Sequence, residues 1–316
     1  DSIGEIAFGV NLRSLHKEDV PFQRAFDTAQ HGANFRFTYP FWTLRRAMGV
    51  GVEKEMAKAI PVLNQFCAEL LAERKKLSIE ELNERKDVLS RFMTTPVTSG
   101  AARHDDAYYR DIIMNFMIAG RDTTANLLSW ATYCLAREEN RAVRATVEAE
   151  IDDKFSAEAT ADAQGPSFEL ATKEMPYLHA TCMETLRLYP SVPKDGKYVV
   201  EDDTLPNGVE VKRGELVAYL PYGMGRREEL WPNAYTFDPT RFLGDGARPS
   251  HYVFTAFQAG PRRCLGMDMA YLEAQTLLAM IHRRFRLAVV PGAVIEPERN
   301  ITLRMANGLP MTVTRR

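Results

Sequence analysis

The stretch FQAGPRRCLG, residues 257–266, places a single thiol among two glycines, a proline and two arginines, just ahead of the helix-like run MDMAYLEAQTLLAMIHRRF. The thiolate, not the thiol, is the nucleophile and metal ligand, and both neighbouring cations and a following helix N-terminus favour the charged sulfur. Cys264 is therefore a thiolate candidate. Gly260 and Gly266 let backbone approach a flat ligand closely or take positive φ. Arg262 and Arg263 can neutralise carboxylates through bidentate contacts. The same residues also read as a loop thiol with basic neighbours and no ligand, and the loop alone does not choose between these.

A second string, AGRDTTA at residues 119–125, puts Gly120, Thr123 and Thr124 inside an otherwise strong helical pattern, with Asp122 between them. Glycine in a helix interior costs about 1 kcal/mol, and threonine hydroxyls compete for backbone carbonyls. A purely structural helix has little reason to accept that combination, although a close-packing notch between helices would explain it. In ETLR, Glu184 and Arg187 lie at i and i+3 and share one helix face. As an exposed pair they would be worth only on the order of 0.3 kcal/mol.

The elements that carry these residues change character along the chain. Residues 1–190 read mostly helical: EKEMAKAIPVLNQFCAELLAERKK has apolar residues at helical spacing with charges at both ends. DDAYYRDIIMNFMIAGRDTTANLLSWATYCLAREE is a longer helix, roughly 50 Å if continuous. RAVRATVEAEIDDKF and PYLHATCMETLRLYP are further helices, separated by the small-residue loop SAEATADAQGPS at 156–167. After Pro190, KYVVEDDTLPNGVEVKRGELVAYL has short β-branched runs broken by Pro-Asn-Gly and Arg-Gly turns, and an irregular aromatic stretch follows. In NITLRMANGLPMTVTRR, Asn307-Gly308 suits a tight hairpin turn. The fold class expected is mainly α with a smaller β region.

Composition excludes several classes. With 45% apolar and 26% charged residues and a formal charge of -2 over 316 residues, the chain is ordinary globular protein without an electrostatic push toward nucleic acid. Four cysteines without a CxxC pair argue against a disulfide framework or structural zinc, and for a reducing compartment. The most apolar run, IIMNFMIAG, is too short and too polar at its end to span a bilayer. DSIGEIAFGV reads as the middle of an element, so a C-terminal portion of a longer protein is expected.

FQAGPRRCLG fits FxxGxRxCxG, the haem-binding signature of the cytochrome P450 family, at every fixed position. ETLR resembles that family's ExxR, DPTRF its PxRF element, and AGRDTTA its oxygen-activating helix motif, in the family's order. The resemblance implies that family's fold over 1–316 as one domain whose N-terminal part is missing. It implies haem b (iron protoporphyrin IX), with Cys264 as the axial thiolate that donates density to iron and favours O–O cleavage. Loop N–H groups would temper that donation. Phe257 would pack near the sulfur side of the ring, Arg262 would pair with a propionate, and Lys197 would be a second propionate partner or a solvated surface lysine. Ala119 and Gly120 would leave room for dioxygen. Thr123 would open the local hydrogen-bond ladder and hold a water fed by Asp122, because O–O cleavage consumes two protons. Glu184, Arg187 and Arg241 would form a buried network that holds the haem-loop scaffold, where losing one partner costs roughly 3–5 kcal/mol.

Within the family, DVLSRF, AGRDTTANLLSW and LRLYPSVPKDGKYVVEDDTLPNG look most like the fatty-acid hydroxylase branch. Ile112, Phe116, Val192, Pro193 and Leu309 would then line a pocket for a lipid-like substrate, or simply fill core. The implied reaction uses O2 and two electrons, originating from NADPH, passed by a reductase on the proximal face near Arg262 and Arg263. A monomer on the cytosolic face of the endoplasmic reticulum membrane is implied, with its anchor outside this chain. WTLRR at 42–46 mimics the family's WxxxR element but lies too near the long helix and is read as chance. Two rivals keep the haem: an enzyme that rearranges hydroperoxides without O2, and a non-catalytic sensor, which would need no Asp122/Thr123 relay.

Overall fold

The computed structural model describes residues 1–16, 19–95, 104–158, 165–244, 249–298 and 300–316, which form two compact units, Asp1–Arg121 and Asp122–Arg316. The first unit holds α1 (Ser2–Phe8), α2 (Pro21–Thr38), α3 (Trp42–Met48), α4 (Val52–Lys75), α5 (Ile79–Glu84), α6 (Val88–Thr94) and the first half of α7 (Asp106–Ala136). Its main packing is α2 against α4, where Phe22 and Phe66 meet at 4.1 Å and Arg36 grips buried Glu53 through two bonds of 2.8 and 2.7 Å. Local chemistry sets the ends of the short helices. Ser78 and Glu81 form a capping box at α5, and Asp87 caps α6 by accepting the Ser90 N–H at 2.9 Å. WTLRR lies in α3, as a helix whose Trp42 ring is covered by the Arg36 guanidinium at 4.7 Å.

The second unit contains the rest of α7, α8 (Arg141–Ala157), α9 (Phe168–Lys173), α10 (Pro176–Leu188), a short α11 (Pro221–Met224) and α12 (Met267–Arg284). Its core is built from four-residue steps on successive helices: Leu127, Ala131 and Leu135; Val147, Ile151 and Phe155; Leu178, Cys182 and Leu186. Those spacings put each set on one face, which is what the helical periodicity requires. Pro176 opens α10, and the Glu150 carboxylate on α8 accepts the Tyr177 and Leu178 N–H groups at 2.8 Å each, satisfying donors the helix cannot. The small-residue loop expected over 156–167 lies in part, at 159–164, outside the described residues.

The β region consists of two-stranded antiparallel pairs. β1 (Asp195–Tyr198) pairs with β4 (Leu216–Tyr219), and β2 (Asp203–Thr204) with β3 (Glu210–Val211) across the Pro-Asn-Gly turn, where Gly208 has φ of 83°. β5 (Phe285–Val289) pairs with β8 (Met311–Arg315), and β6 (Pro297–Glu298) with β7 (Arg304–Met305). The terminal hairpin expected at Asn307-Gly308 is therefore corrected. Gly308 does turn, with φ of 68° and its N–H on the Met305 carbonyl, but the flanking strands each pair with a more distant partner. Among the described residues no helix is long and apolar enough to cross a membrane.

Candidate haem-thiolate site

Cys264 follows a 3-10 turn at Gly260–Arg262 and stands three residues before α12 begins at Met267. Its N–H donates to the Phe257 carbonyl at 2.9 Å, closing the loop into a compact bend. Gly260 takes φ of 71°, a left-handed conformation that favours glycine, and Gln258 is there too at 62°. Gly266 does not use positive φ; its φ is -89°, and a β-carbon there would lie 4.0 Å from the Cys264 sulfur. A side chain there would only touch the sulfur at ordinary van der Waals distance. Cys264 is the exposed thiol, whereas Cys67, Cys134 and Cys182 are buried. Burial pushes Cys67 up to about 11 and Cys182 up to about 12, so neither supplies a thiolate near neutral pH.

Beneath the loop, Phe257 packs on Tyr271 of α12 at 5.1 Å, anchoring the bend to the core. Arg262 and Arg263 are exposed beside the thiol, with Arg263 Nη1 3.4 Å from the His251 ring. Lys197 on β1 reaches the same loop: its Nζ donates to Gln258 Oε1 and to Asp195 Oδ2, both at 3.1 Å. Asp195 also accepts the Tyr219 hydroxyl at 2.7 Å. Burial works against its ionisation, but the bonds from Tyr219, Lys197 and the Gly196 N–H outweigh it and hold its carboxyl below the usual range. The Lys197 ammonium is accordingly held at the cysteine loop by an ionised partner.

The Glu184/Arg187 pair is fully enclosed, with both side chains 0% exposed. Arg187 Nε and Nη2 meet the two carboxylate oxygens at 2.7 Å each. Its remaining N–H groups go to the carbonyls of Gly225, Ala234 at 2.7 Å and Thr236 at 3.0 Å. Glu184 accepts in addition the Asp238 N–H at 2.8 Å and faces Arg241 Nε at 3.5 Å. Arg241 extends the tie by donating to the Asn233 carbonyl at 2.9 Å. Burial pushes the Glu184 carboxyl up despite Arg187, the behaviour of a pair whose desolvation is not fully offset. Gly225 is required here for space, because a β-carbon would lie 2.0 Å from the Arg187 carbonyl oxygen. The irregular stretch 225–241 is thereby wrapped around α10.

On α7, Asp122 and Thr124 are buried and Thr123 half-buried, and the helix is unbroken from Asp106 to Ala136. The Thr123 carbonyl accepts the Ser191 hydroxyl at 2.7 Å. The room left at Gly120 is used differently from the expectation that it would admit dioxygen. A β-carbon there would lie 2.4 Å from Cδ1 of Ile3, so α1 fills the notch. Ala119 is exposed. Ile112 and Phe116 are half-buried, Phe116 meeting Phe92 edge-on at 5.9 Å. Val192, Pro193 and Leu309 are also half-buried. Sequence reasoning missed Ser191, Gln258 and Gly225: Gln258 is a variable position of FxxGxRxCxG, and only the Gly225 glycine type hinted at a close approach.

The residues present fit a haem-thiolate: an accessible soft sulfur donor, a tight bend turned at Gln258 and Gly260, and cations at the loop rim. A mainly helical fold with small sheets around such a loop defines the class, and comparison with known proteins agrees. The chain superposes with a TM-score of 0.84 on the crystal structure of the cytochrome P450DA heme domain, covering 100% of this chain and 66% of that one at 22% identity. A family model described as Cytochrome P450 matches residues 1–311. This chain belongs to the cytochrome P450 family. It is 39% identical to cytochrome P450 704B1 of Arabidopsis thaliana, covering 100% of this chain and 67% of that protein. It is similarly 38% identical to cytochrome P450 86B1 of Arabidopsis thaliana, with coverage of 100% and 59%. Against cytochrome P450 94A2 of Vicia sativa the identity is 32% and the coverage 100% and 62%. The chain thus spans about 59% to 67% of the length of these relatives.

Proposed function

We propose that residues 1–316 belong to one haem-thiolate monooxygenase domain that hydroxylates a lipophilic substrate, a fatty acid, with O2 and two electrons from an NADPH-dependent reductase. The observation that carries this is Cys264: an exposed thiol in a glycine-relieved bend at the head of α12. Haem b, when bound, supplies the one-electron and oxygen chemistry. Cys264 Sγ would hold its iron. Its own N–H is committed to the Phe257 carbonyl, so tempering of the thiolate would fall to other N–H groups of the loop. Arg262 and the Lys197 ammonium would be the cations to meet propionates at the loop rim.

Asp122, buried on α7, would feed protons toward a water held at the Thr123 hydroxyl. Glu184, Arg187 and Arg241 perform no chemistry; they fix the stretch leading into the cysteine loop. Val192, Pro193 and Leu309, and separately Ile112 and Phe116, carry apolar side chains that suit a lipophilic chain. The fatty-acid assignment rests on the resemblance of DVLSRF, AGRDTTANLLSW and the stretch after Leu186 to the hydroxylases of that branch. The exposed Arg262 and Arg263 suit an acidic redox partner docking beside the thiol. The full protein would act as a monomer at the cytosolic face of the endoplasmic reticulum membrane.

The test is the spectrum of the full-length, reduced protein with CO. The Soret shift of a thiolate ligand is expected in wild type and absent in Cys264→Ser. A shift that survives that substitution would refute the assignment. Hydroxylation of a saturated fatty acid should then require both reductase and NADPH; turnover driven only by an added hydroperoxide would favour a rearranging enzyme instead.

A further inference from the structure

We propose that Ser191 is a positioning residue for the Thr123 turn: its buried hydroxyl holds the Thr123 carbonyl and couples the pocket segment at 192–193 to the Asp122/Thr123 pair. The proposal rests on the reading above in two respects, that this pair moves protons to oxygen and that residues 192–193 line the pocket. Ser191 is 6% exposed, and its Oγ donates to the Thr123 carbonyl at 2.7 Å. In an α-helix that carbonyl already receives the N–H four residues on, here Leu127, and a carbonyl oxygen has two lone pairs. The second bond restrains the peptide plane that follows Thr123.

Ser191 is itself fixed from two sides. Its carbonyl accepts the Leu303 N–H at 2.9 Å, and the Leu303 carbonyl accepts Trp130 Nε1 at 2.8 Å. Trp130 stacks on Tyr189 at 4.1 Å with rings 5° apart. α7 therefore grips residues 189–191 at both Thr123 and Trp130. The next two residues, Val192 and Pro193, are half-buried, and Pro193 is tied through its carbonyl to the Tyr222 N–H at 3.3 Å. A ligand that displaces Val192 moves Ser191 along the chain and pulls on the Thr123 carbonyl. Filling the pocket would in this way alter the turn that delivers protons.

The experiment compares Ser191→Ala and Ser191→Thr with wild type in the full-length, haem-loaded protein. Amide hydrogen exchange of the α7 peptide containing Leu127 is expected to speed up about five-fold in Ser191→Ala, the loss of one net hydrogen bond. Ser191→Thr, which keeps the hydroxyl, should restore the wild-type rate. With the reduced CO spectrum unchanged, Ser191→Ala should also divert more reducing equivalents to hydrogen peroxide at the expense of hydroxylated product. Unchanged exchange in Ser191→Ala overturns the proposal, as does faster exchange with an unchanged peroxide-to-product ratio. Loss of the CO signature would make Ser191 a scaffold residue and overturn it equally. Should wild type lack the thiolate signature, the functional reading fails on its own, and the exchange result still decides whether Ser191 holds Thr123.

Discussion

Replacing Glu184 by Gln keeps the shape of the side chain and removes its charge, leaving the Arg187 guanidinium enclosed without its counter-ion. Both side chains are 0% exposed, so water cannot take over the solvation. Arg187 donates two bonds to Glu184 and three to backbone carbonyls, committing the N–H groups of its guanidinium fork. Removing one partner of such a pair costs about 3–5 kcal/mol, against about 0.3–0.5 kcal/mol for an exposed pair at the same spacing. Set against a total stability of about 5–15 kcal/mol, that is a large fraction. Urea unfolding of the full-length protein is the assay. Trp231 is a built-in reporter, its ring lying 5.4 Å from the Arg187 guanidinium carbon. With a urea slope of about 2 kcal/mol/M the midpoint should fall by about 2 M at unchanged slope. Exchanging both residues for Met should recover part of the loss, because no charge is then stranded, although the carbonyls of Gly225, Ala234 and Thr236 lose their donor. A change below about 0.5 kcal/mol in Glu184→Gln would mean that the pair behaves as if solvated, and the reasoning would be wrong.

Other outcomes follow from the same geometry. His282 is 2% exposed, and burial, with Arg316 and Arg144 nearby, lowers its pKa to about 4. Its folded pKa lies below the unfolded value, so the neutral ring's contribution is complete above about pH 6.5 and fades as pH falls toward 4. Between pH 7 and pH 5 the urea-derived stability should drop by about 2 kcal/mol from this residue, and His282→Leu should flatten that limb. An acid limb of equal steepness in the variant would contradict the assignment. Gly120→Ala pushes on Cδ1 and Cγ1 of the Ile3 side chain, which must shift, and the gain of about 1 kcal/mol in helix propensity offsets that contact. Its unfolding midpoint should stay within about 1 kcal/mol of wild type, and a larger loss would show that the notch cannot relax.

Much of the fold was legible residue by residue. The helices α7, α8, α10 and α12 follow from apolar steps of three and four, and the turns at Gly208 and Gly214 follow from glycines that do take positive φ, at 83° and 89°. These features depend on bonds and side-chain neighbours within a few positions, which is the range over which residue order alone acts. ETLR shows that range running out. The string puts Glu184 and Arg187 on one face, but their complete burial comes from residues 225–241 folding over α10, and nothing local distinguishes that from a wet surface. Gly120 was read as room for a ligand, and Ile3, more than a hundred positions earlier, fills it. Asn307-Gly308 does turn, yet its strands pair with β5 and β6 because strand edges are chosen by what lies alongside in space. The Lys197 contact with Gln258 and the Ser191 bond to Thr123 likewise join segments 61 and 68 positions apart. Backbone preference is settled by near neighbours in the chain; dielectric surroundings and facing partners are settled by segments brought together on folding, and no spacing of residue types encodes which ones.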